Sequence, residues 1–517
     1  MPTLSLPAYA TSIEQAVRGH SGQQLAVLLA LTSPDGSGDK HQSELLDFMG
    51  RAERGQYVAD RWVGTFTPSY EGYFKRNWNK GLMSHGPWAE IAAAHVGALV
   101  NLHAVAPGAV PGQHVQLATD FVVVYAKQHE IVTSLYRYLL DARDSTRWAL
   151  PVLYQVCKDL KKVAEQADQQ LLSKQQKATK LEEASRLLQK CFSLCLNDRS
   201  ELKDSKKYGT YYLATLLFKV YFKLNSTALC RNIIRGIGAA ELPPLESFPR
   251  AHQVTYLYYM GVFAFLREDY AEAERKFTEA LEGCHRLMKG NREKILDYLI
   301  PLLLLRGVHP SDRLYTFLPK PSPGNPRPQR ELTRHYHLYA PFAAAIKSGN
   351  VAAYDRQLER AEKTLMRRGT YLVVERAREA AVRGAVKKAW ILSGKPARMP
   401  ISTFVTAYNA AQRLGTDGER GEEGEGAAQT AGVEIDAEEC ECLLANLIAK
   451  GLMKGYISHA HQLVVLSKDK PFPWYAPCRP LDPAKAKARA EKEAAERAKM
   501  PVFEGDASAA GAGGATA

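Results

Sequence analysis

The sequence predicts a mainly α protein: a right-handed solenoid of helical repeats that ends in a winged-helix module. Three observations carry this. Apolar residues recur with helical period almost everywhere before residue 450. One segment holds the small-residue spacing that lets two antiparallel helices cross closely. From Ile401 on, two helical patterns are followed by two short apolar runs around a polar turn.

Ile13 to Leu31 has the pattern of a first helix, closed by the turn signal Ser33-Pro34-Asp35-Gly36. Aromatic-rich residues 57–78 lead into a second helical region, and Pro107 to Pro111 marks a loop before an apolar helix over Val115 to Leu140. Leu150 to Leu172, Lys180 to Leu196 and Tyr208 to Leu224 continue the array, which breaks at the proline-rich Leu242 to Pro249. Gly261 is then followed twelve, sixteen and nineteen residues later by Ala273, Phe277 and Ala280, the spacing of a tetratricopeptide hairpin. With helix pairs on both sides, it supports a tetratricopeptide-like solenoid over about residues 110–390, interrupted by an exposed loop at Pro319 to Pro328.

At the C-terminal end, a helix over Ile401 to Leu414 precedes a second over Asp436 to Lys450, with Asp436 as N-cap and Gly451 near its end. Leu452 to Ile457 and Gln462 to Leu466 read as strands around Ser458-His459-Ala460-His461. The expected organisation is an N-terminal helical region 1–110, a solenoid 111–330, a module 331–475 with its winged helix at 401–470, and a charged tail 476–517.

The chain has 517 residues and a formal charge of +13, and the charge is local rather than uniform. Arg360 to Pro400 holds eleven Lys or Arg and three Glu, a net +8. Gly415 to Glu441 holds ten acidic residues and one Arg, a net −9, and residues 415–432 are too glycine-rich and polar to pack, so a disordered acidic insert is expected. The tail AKAKARAEKEAAERAK, between Pro483 and Lys499, offers only alanine as an apolar face and should be a solvated helix or helix-coil mixture before a disordered Ala/Gly end.

Several function classes are excluded on these grounds. The longest apolar run, Leu299 to Leu305, contains Pro301 and is far short of the ~20 residues a membrane span needs. The N-terminus lacks a signal-peptide pattern, and eight scattered cysteines without a disulfide context point to a reducing compartment. Cys191 with Cys195 and Cys440 with Cys442 lack a second pair at zinc-finger spacing and read as core residues. His459 and His461 alternate across the hairpin and cannot chelate one ion together. His335 and His337 have no carboxylate cluster near them in sequence. Gly36-Ser37-Gly38-Asp39-Lys40 lacks the spacing of a phosphate loop, no nucleophile-base arrangement emerges from spacing, and neither an enzyme nor a cofactor is expected.

A binding role is expected instead. The second helix of the helix-turn-helix and the wing carry Lys450, Lys454, Lys468 and Lys470, and the preceding repeats add Arg367, Arg368, Arg383, Lys387 and Lys388. Cations on one surface give sequence-tolerant, salt-sensitive affinity for RNA or DNA, while Tyr456, Phe472 and Trp474 near the wing suit unpaired bases. Equally, these cations can solvate helix faces while Tyr456 and Phe472 pack beneath the hairpin.

Tyr339 to Leu392, with AIKSGN, RRGTYLVVERAR and KKAWIL, followed by ISTF and LIAKGLMKGYISHAHQLVVLS, resembles a PCI domain, the helical-repeat and winged-helix module of multisubunit scaffolds. More narrowly, YYLATLLFKVYFKLNSTALCRNIIRGI (Tyr211 to Ile237) and GYISHAHQLVVLSKDKPFPW (Gly455 to Trp474) resemble the PCI domain-containing protein 2 family. The resemblance covers about residues 110–475 and leaves out the acidic insert, the tail and the first hundred residues. It implies a subunit of the second transcription-export complex, related to the twelfth-subunit relatives of the signalosome and located in the nucleus, near the pore, with some in the cytoplasm. Its implied partners are a large PCI-type scaffold subunit paired winged helix to winged helix, and a small acidic disordered peptide on the repeats. Tyr298, Leu302, Tyr456 and Trp474 are the candidate partner contacts. The alternatives are a structural PCI subunit of a signalosome, proteasome-lid or initiation-factor assembly without nucleic acid, and a regulator of ubiquitin-dependent turnover.

Overall fold

The computed structural model describes residues 6–31, 87–102, 119–141, 146–317, 331–413 and 434–473. The chain forms two compact units, Met1–Tyr259 and Met260–Ala517. The division falls inside one helix of the stretch expected as a single solenoid.

The first unit contains α1 (Leu6–Arg18), α2 (Gly22–Leu28), α3 (Trp88–Leu102), α4 (Phe121–Asp141), α5 (Leu150–Ser173), α6 (Lys180–Leu196), α7 (Thr210–Lys223) and α8 (Thr227–Ala239). From α3 to α8 each helix packs on the next, the arrangement of a repeat array. Its core is built from one apolar stripe per helix, including Leu135, Leu160, Leu188 and Leu217, all fully buried. Each such leucine contributes about 1.5–3 kcal/mol by leaving water. Trp88 anchors the N-terminal end, edge-on to Tyr138 at 5.2 Å and 5.9 Å from Trp148.

The single first helix expected over Ile13 to Leu31 is two helices. His20 takes a left-handed φ of 50°, which breaks the chain and lays Gly22 on the Trp148 carbonyl, where a Cβ would stand 1.7 Å from the oxygen. The turn expected at Ser33 to Gly36, the stretch 57–78, the loop at Pro107 to Pro111, the acidic insert 415–432 and the tail lie outside the described residues.

α9 (Arg250–Leu266) runs through the division, and α10 (Tyr270–Gly283) and α11 (Lys289–Leu305) follow in the second unit. The repeat spacing of the sequence is a real helix crossing: Ala273, Phe277 and Ala280 are buried, and a Cβ on Gly261 would stand 2.8 Å from the Phe277 ring. Tyr298 stacks on Phe277 at 5.3 Å with an interplanar angle of 6°, and Leu302 is 1% exposed. Of the two expected partner contacts on α11, Leu302 is spent in the chain's own core, while Tyr298 packs on Phe277 and is half-buried. No helix among the described residues is long and apolar enough to cross a membrane.

Next come β1 (Thr316–Phe317) and β2 (Glu331–Leu332), an antiparallel pair flanking the proline-rich stretch, which is itself outside the described residues. α12 (Arg334–Ser348), α13 (Val351–Arg368), α14 (Tyr371–Arg376) and α15 (Arg378–Leu392) complete the helical part. α12 ends on left-handed Gly349 and crosses α15 at Gly384; a Cβ on Gly349 would stand 2.7 Å from the Ala385 amide nitrogen. That contact places the basic end of α15 beside the C-terminus of α12.

The winged helix is β3 (Arg398–Pro400), α16 (Ile401–Arg413), α17 (Ala437–Ala449), β4 (Gly455–Ser458) and β5 (Leu463–Leu466). Its sheet has three antiparallel strands in the order β3-β5-β4, not the two expected, because a three-residue strand leaves no periodic signal. β4 starts at Gly455 rather than Leu452, since the amides of Leu452 and Met453 both turn back to the Leu447 carbonyl to close α17. Asp436 is the expected N-cap: its carboxylate accepts from the Glu439 amide at 2.8 Å. Register puts Met399, Val464 and Ile457 on the inner face and Arg398, Val465 and Tyr456 together on the outer one.

Candidate nucleic-acid interface

α17 is the helix that a winged helix offers to a DNA groove, and here it carries no Lys or Arg. Cys440, Leu444 and Leu447 point into the module, while Glu438, Glu439, Cys442, Ala445 and Asn446 are exposed. With Glu434, Asp436 and Glu441, five of the ten acidic residues of the −9 stretch lie on or just before this helix rather than in the insert. Such a surface repels phosphate. The cation expected of this helix, Lys450, caps its C-terminal end and is exposed.

The nine expected cations divide by what they touch. Lys450, just past α17, is ion-paired with Glu379 of α15. Arg383 donates from Nε to the Leu452 carbonyl at 3.0 Å and from Nη2 to the Pro473 carbonyl at 2.6 Å, fastening α15 to both ends of the wing. Its guanidinium lies 5.9 Å from the Phe472 ring, which is buried and 5.5 Å from Trp390. Phe472 is thus the wing's floor and not a stacking surface. Lys388 donates to the Ser348 carbonyl at 2.6 Å, a cation on a helix C-terminus. Arg368 lies 3.0 Å from Asp297, partly buried. Arg383 and Arg368 are part-buried and committed to the chain's own carbonyls and carboxylate, while Lys450 and Lys388 make exposed contacts.

Lys454, Lys468 and Lys470 are exposed on the wing, Arg367 is exposed at the end of α13, and Lys387 is half-buried one turn beyond Arg383. Arg398 and Lys395, exposed at and just before β3, were missed as site residues. Both sit inside the +8 stretch, but only the third strand places Arg398 beside Val465 and Tyr456. Tyr456 is 63% exposed on that face. Trp474 lies outside the described residues.

At the wing tip, the His459 imidazole is 2.8 Å from Glu441, whose hydrogen bond and charge raise its pKa. Among the described residues no group of three His, Cys, Asp or Glu side chains is placed to hold a metal ion. Cys157, Cys191, Cys195, Cys230, Cys284 and Cys440 are buried, but Cys442 is exposed and departs from the core reading.

Sequence reasoning also missed a hub on α11. Asp297 accepts from His335 at 2.9 Å and from Arg334 at 2.7 Å, and Arg368 completes its shell. His335 is fully buried and stacked on Tyr339. Nothing in the sequence signals a carboxylate 38 residues before its histidine. The cluster ties α11, α12 and α13 together in the repeats that precede the winged helix.

Residues 427–468, which span α17, β4 and β5, match the PCI domain family. The chain is 35% identical over 413 residues to the protein CSN12 homolog of Mycosarcoma maydis, covering 75% of this chain and 84% of that relative. The chain belongs to the family of the CSN12 homologs and PCI domain-containing protein 2. PCI domain-containing protein 2 of Xenopus laevis is 32% identical over 68% of this chain and 80% of its own length. Enhanced ethylene response protein 5 of Arabidopsis thaliana is 33% identical over 63% and 70%. As a PCI-domain protein, the chain carries its module on a base of helical pairs, and sets an acidic α17 beside a basic wing.

Proposed function

We propose that this PCI-domain protein is a non-enzymatic scaffold subunit of a nuclear, transcription-coupled mRNA export complex, present also at the nuclear pore. The observation that carries the reading is the wing: an edge strand, β4, bearing an exposed tyrosine and flanked by Lys454, Lys468 and Lys470. Among the described residues β4 pairs only with β5, so its outer backbone groups suit a strand from a second, larger PCI subunit. The two wings side by side then make one basic surface for RNA or DNA. A small acidic peptide is a further partner, lying along the repeats at a place other than the buried Leu302, and its acidity complements the chain's +13.

The acidic face of α17 favours a second reading, a structural PCI subunit of a signalosome, proteasome-lid or initiation-factor assembly that never meets nucleic acid. A salt-dependent RNA titration of the assembled complex separates the two. Charge reversal at Lys454, Lys468 and Lys470 should weaken binding and flatten its salt dependence with the complex still assembled. Unchanged affinity would favour the second reading.

A further inference from the structure

We propose that the outer face of the β3-β5-β4 sheet is a platform for single-stranded nucleic acid, with Tyr456 as its base-stacking residue and Arg398 as a phosphate ligand, and that the module does not seat a duplex. This rests on the nucleic-acid reading above and names its substrate class. Cross-strand pairing sets Arg398, Val465 and Tyr456 side by side in one row. The Ser467 amide bonds to the Lys454 carbonyl, which extends the ladder and brings Lys454 to the same face two residues before Tyr456. Leu463 and Ser458 form the next row on that face.

Charge selects the occupant. Arg398 and Lys454 lie on the face, and Lys395, Lys468 and Lys470 are exposed on the segments that flank its strands, with Asp469 between the last two. Such a set suits an anion, and the exposed phenol among the cations suits the flat face of an unpaired base.

The neighbouring helix selects the strandedness. A winged helix that reads duplex DNA inserts its second helix into the major groove between two phosphate walls. α17, which itself has no Lys or Arg, would carry Glu438 and Glu439 into that groove. A single strand needs no groove insertion. It can cross the outer face of the sheet with its phosphates at Arg398 and Lys454 and a base on Tyr456, clear of the acidic helix. A merely basic patch would behave differently, because a duplex carries about twice the charge of one strand per unit length and would bind more tightly.

The test uses the full-length chain, a labelled 20-mer of oligouridine and a 20-base-pair DNA duplex, titrated by anisotropy at several salt concentrations. The single strand should bind at least about tenfold more tightly. Tyr456→Ala should cost it at least about fivefold, Tyr456→Phe should not, and Arg398→Ala should lower the salt slope by about 0.7. Duplex affinity equal to or above that of the single strand, or a Tyr456→Ala chain that binds as well as the parent, would overturn the platform while leaving nucleic-acid binding intact. Binding of neither probe by the chain at low salt would overturn the platform, and binding of neither by the assembled complex would overturn the nucleic-acid reading as well.

Discussion

An Arg383→Ala chain deprives two wing carbonyls of their donor at once, Leu452 at 3.0 Å and Pro473 at 2.6 Å. A hydrogen bond from a charged donor contributes about 1.5–3 kcal/mol. Arg383 is only half-buried, so water reaches part of the vacated space and the sum is discounted to roughly 2–4 kcal/mol. The loss falls on the docking of the wing onto α15, not on the chain as a whole. Hydrogen exchange is therefore the appropriate assay, read at the Lys454 amide, which bonds to Pro471, and the Ser467 amide, which bonds to Lys454. Protection there should fall by roughly thirty- to a thousandfold, since ~1.4 kcal/mol is a factor of ten. Arg383→Lys keeps the charge but not the two-pronged geometry and should recover only part of it. The salt slope of RNA binding should stay that of the parent. Unchanged protection with a slope lower by about 0.7 would refute the reasoning and make Arg383 a phosphate ligand.

Three further outcomes follow from the packing. Asp297→Ala leaves His335, Arg334 and Arg368 around a vacancy and should cost about 3–5 kcal/mol in urea unfolding of the second unit; a change below about 1 kcal/mol would show the hub to be unimportant. Gly349→Ala forces a side chain into left-handed backbone against Ala385 and should cost at least about 1–3 kcal/mol, whereas the exposed left-handed Gly369, where a Cβ would enter open space, should tolerate alanine better; equal losses at the two positions in urea unfolding would contradict this. Burial holds the His95 imidazole, bonded to the Tyr9 hydroxyl, at a pKa of about 4 against an ordinary 6.5. The folded chain thus resists a proton that the unfolded chain accepts, so this group's contribution to stability is full above about 6.5, falls by up to ~1.4 kcal/mol per pH unit below it, and levels off below about 4. Urea midpoints that do not shift between pH 7 and pH 5, or that shift equally in His95→Gln, would contradict that.

Much of the helical part was legible because amphipathic period is local. The pattern bounds Lys180 to Leu196 to the residue, and Gly261, Ala273, Phe277 and Ala280 give a helix crossing from spacing alone. Breaks that serve a distant contact were not legible: His20 turns left-handed so that Gly22 can meet Trp148, more than a hundred residues away. The site was legible in composition but not in allocation. A window charge of +8 cannot tell Arg383, bound to two carbonyls of the wing, from Arg398, exposed on the sheet edge. Nor does a window charge of −9 show that half of it caps and coats α17, because that depends on where the helix begins.

A scaffold role in an export complex is tested most directly by purifying the tagged full-length chain from nuclear extract and identifying what comes with it in stoichiometric amount. A larger PCI-type subunit, a small acidic peptide and RNA released by salt are the expected company. Recovery with the subunits of a signalosome, proteasome lid or initiation-factor assembly, and no RNA, would contradict that role.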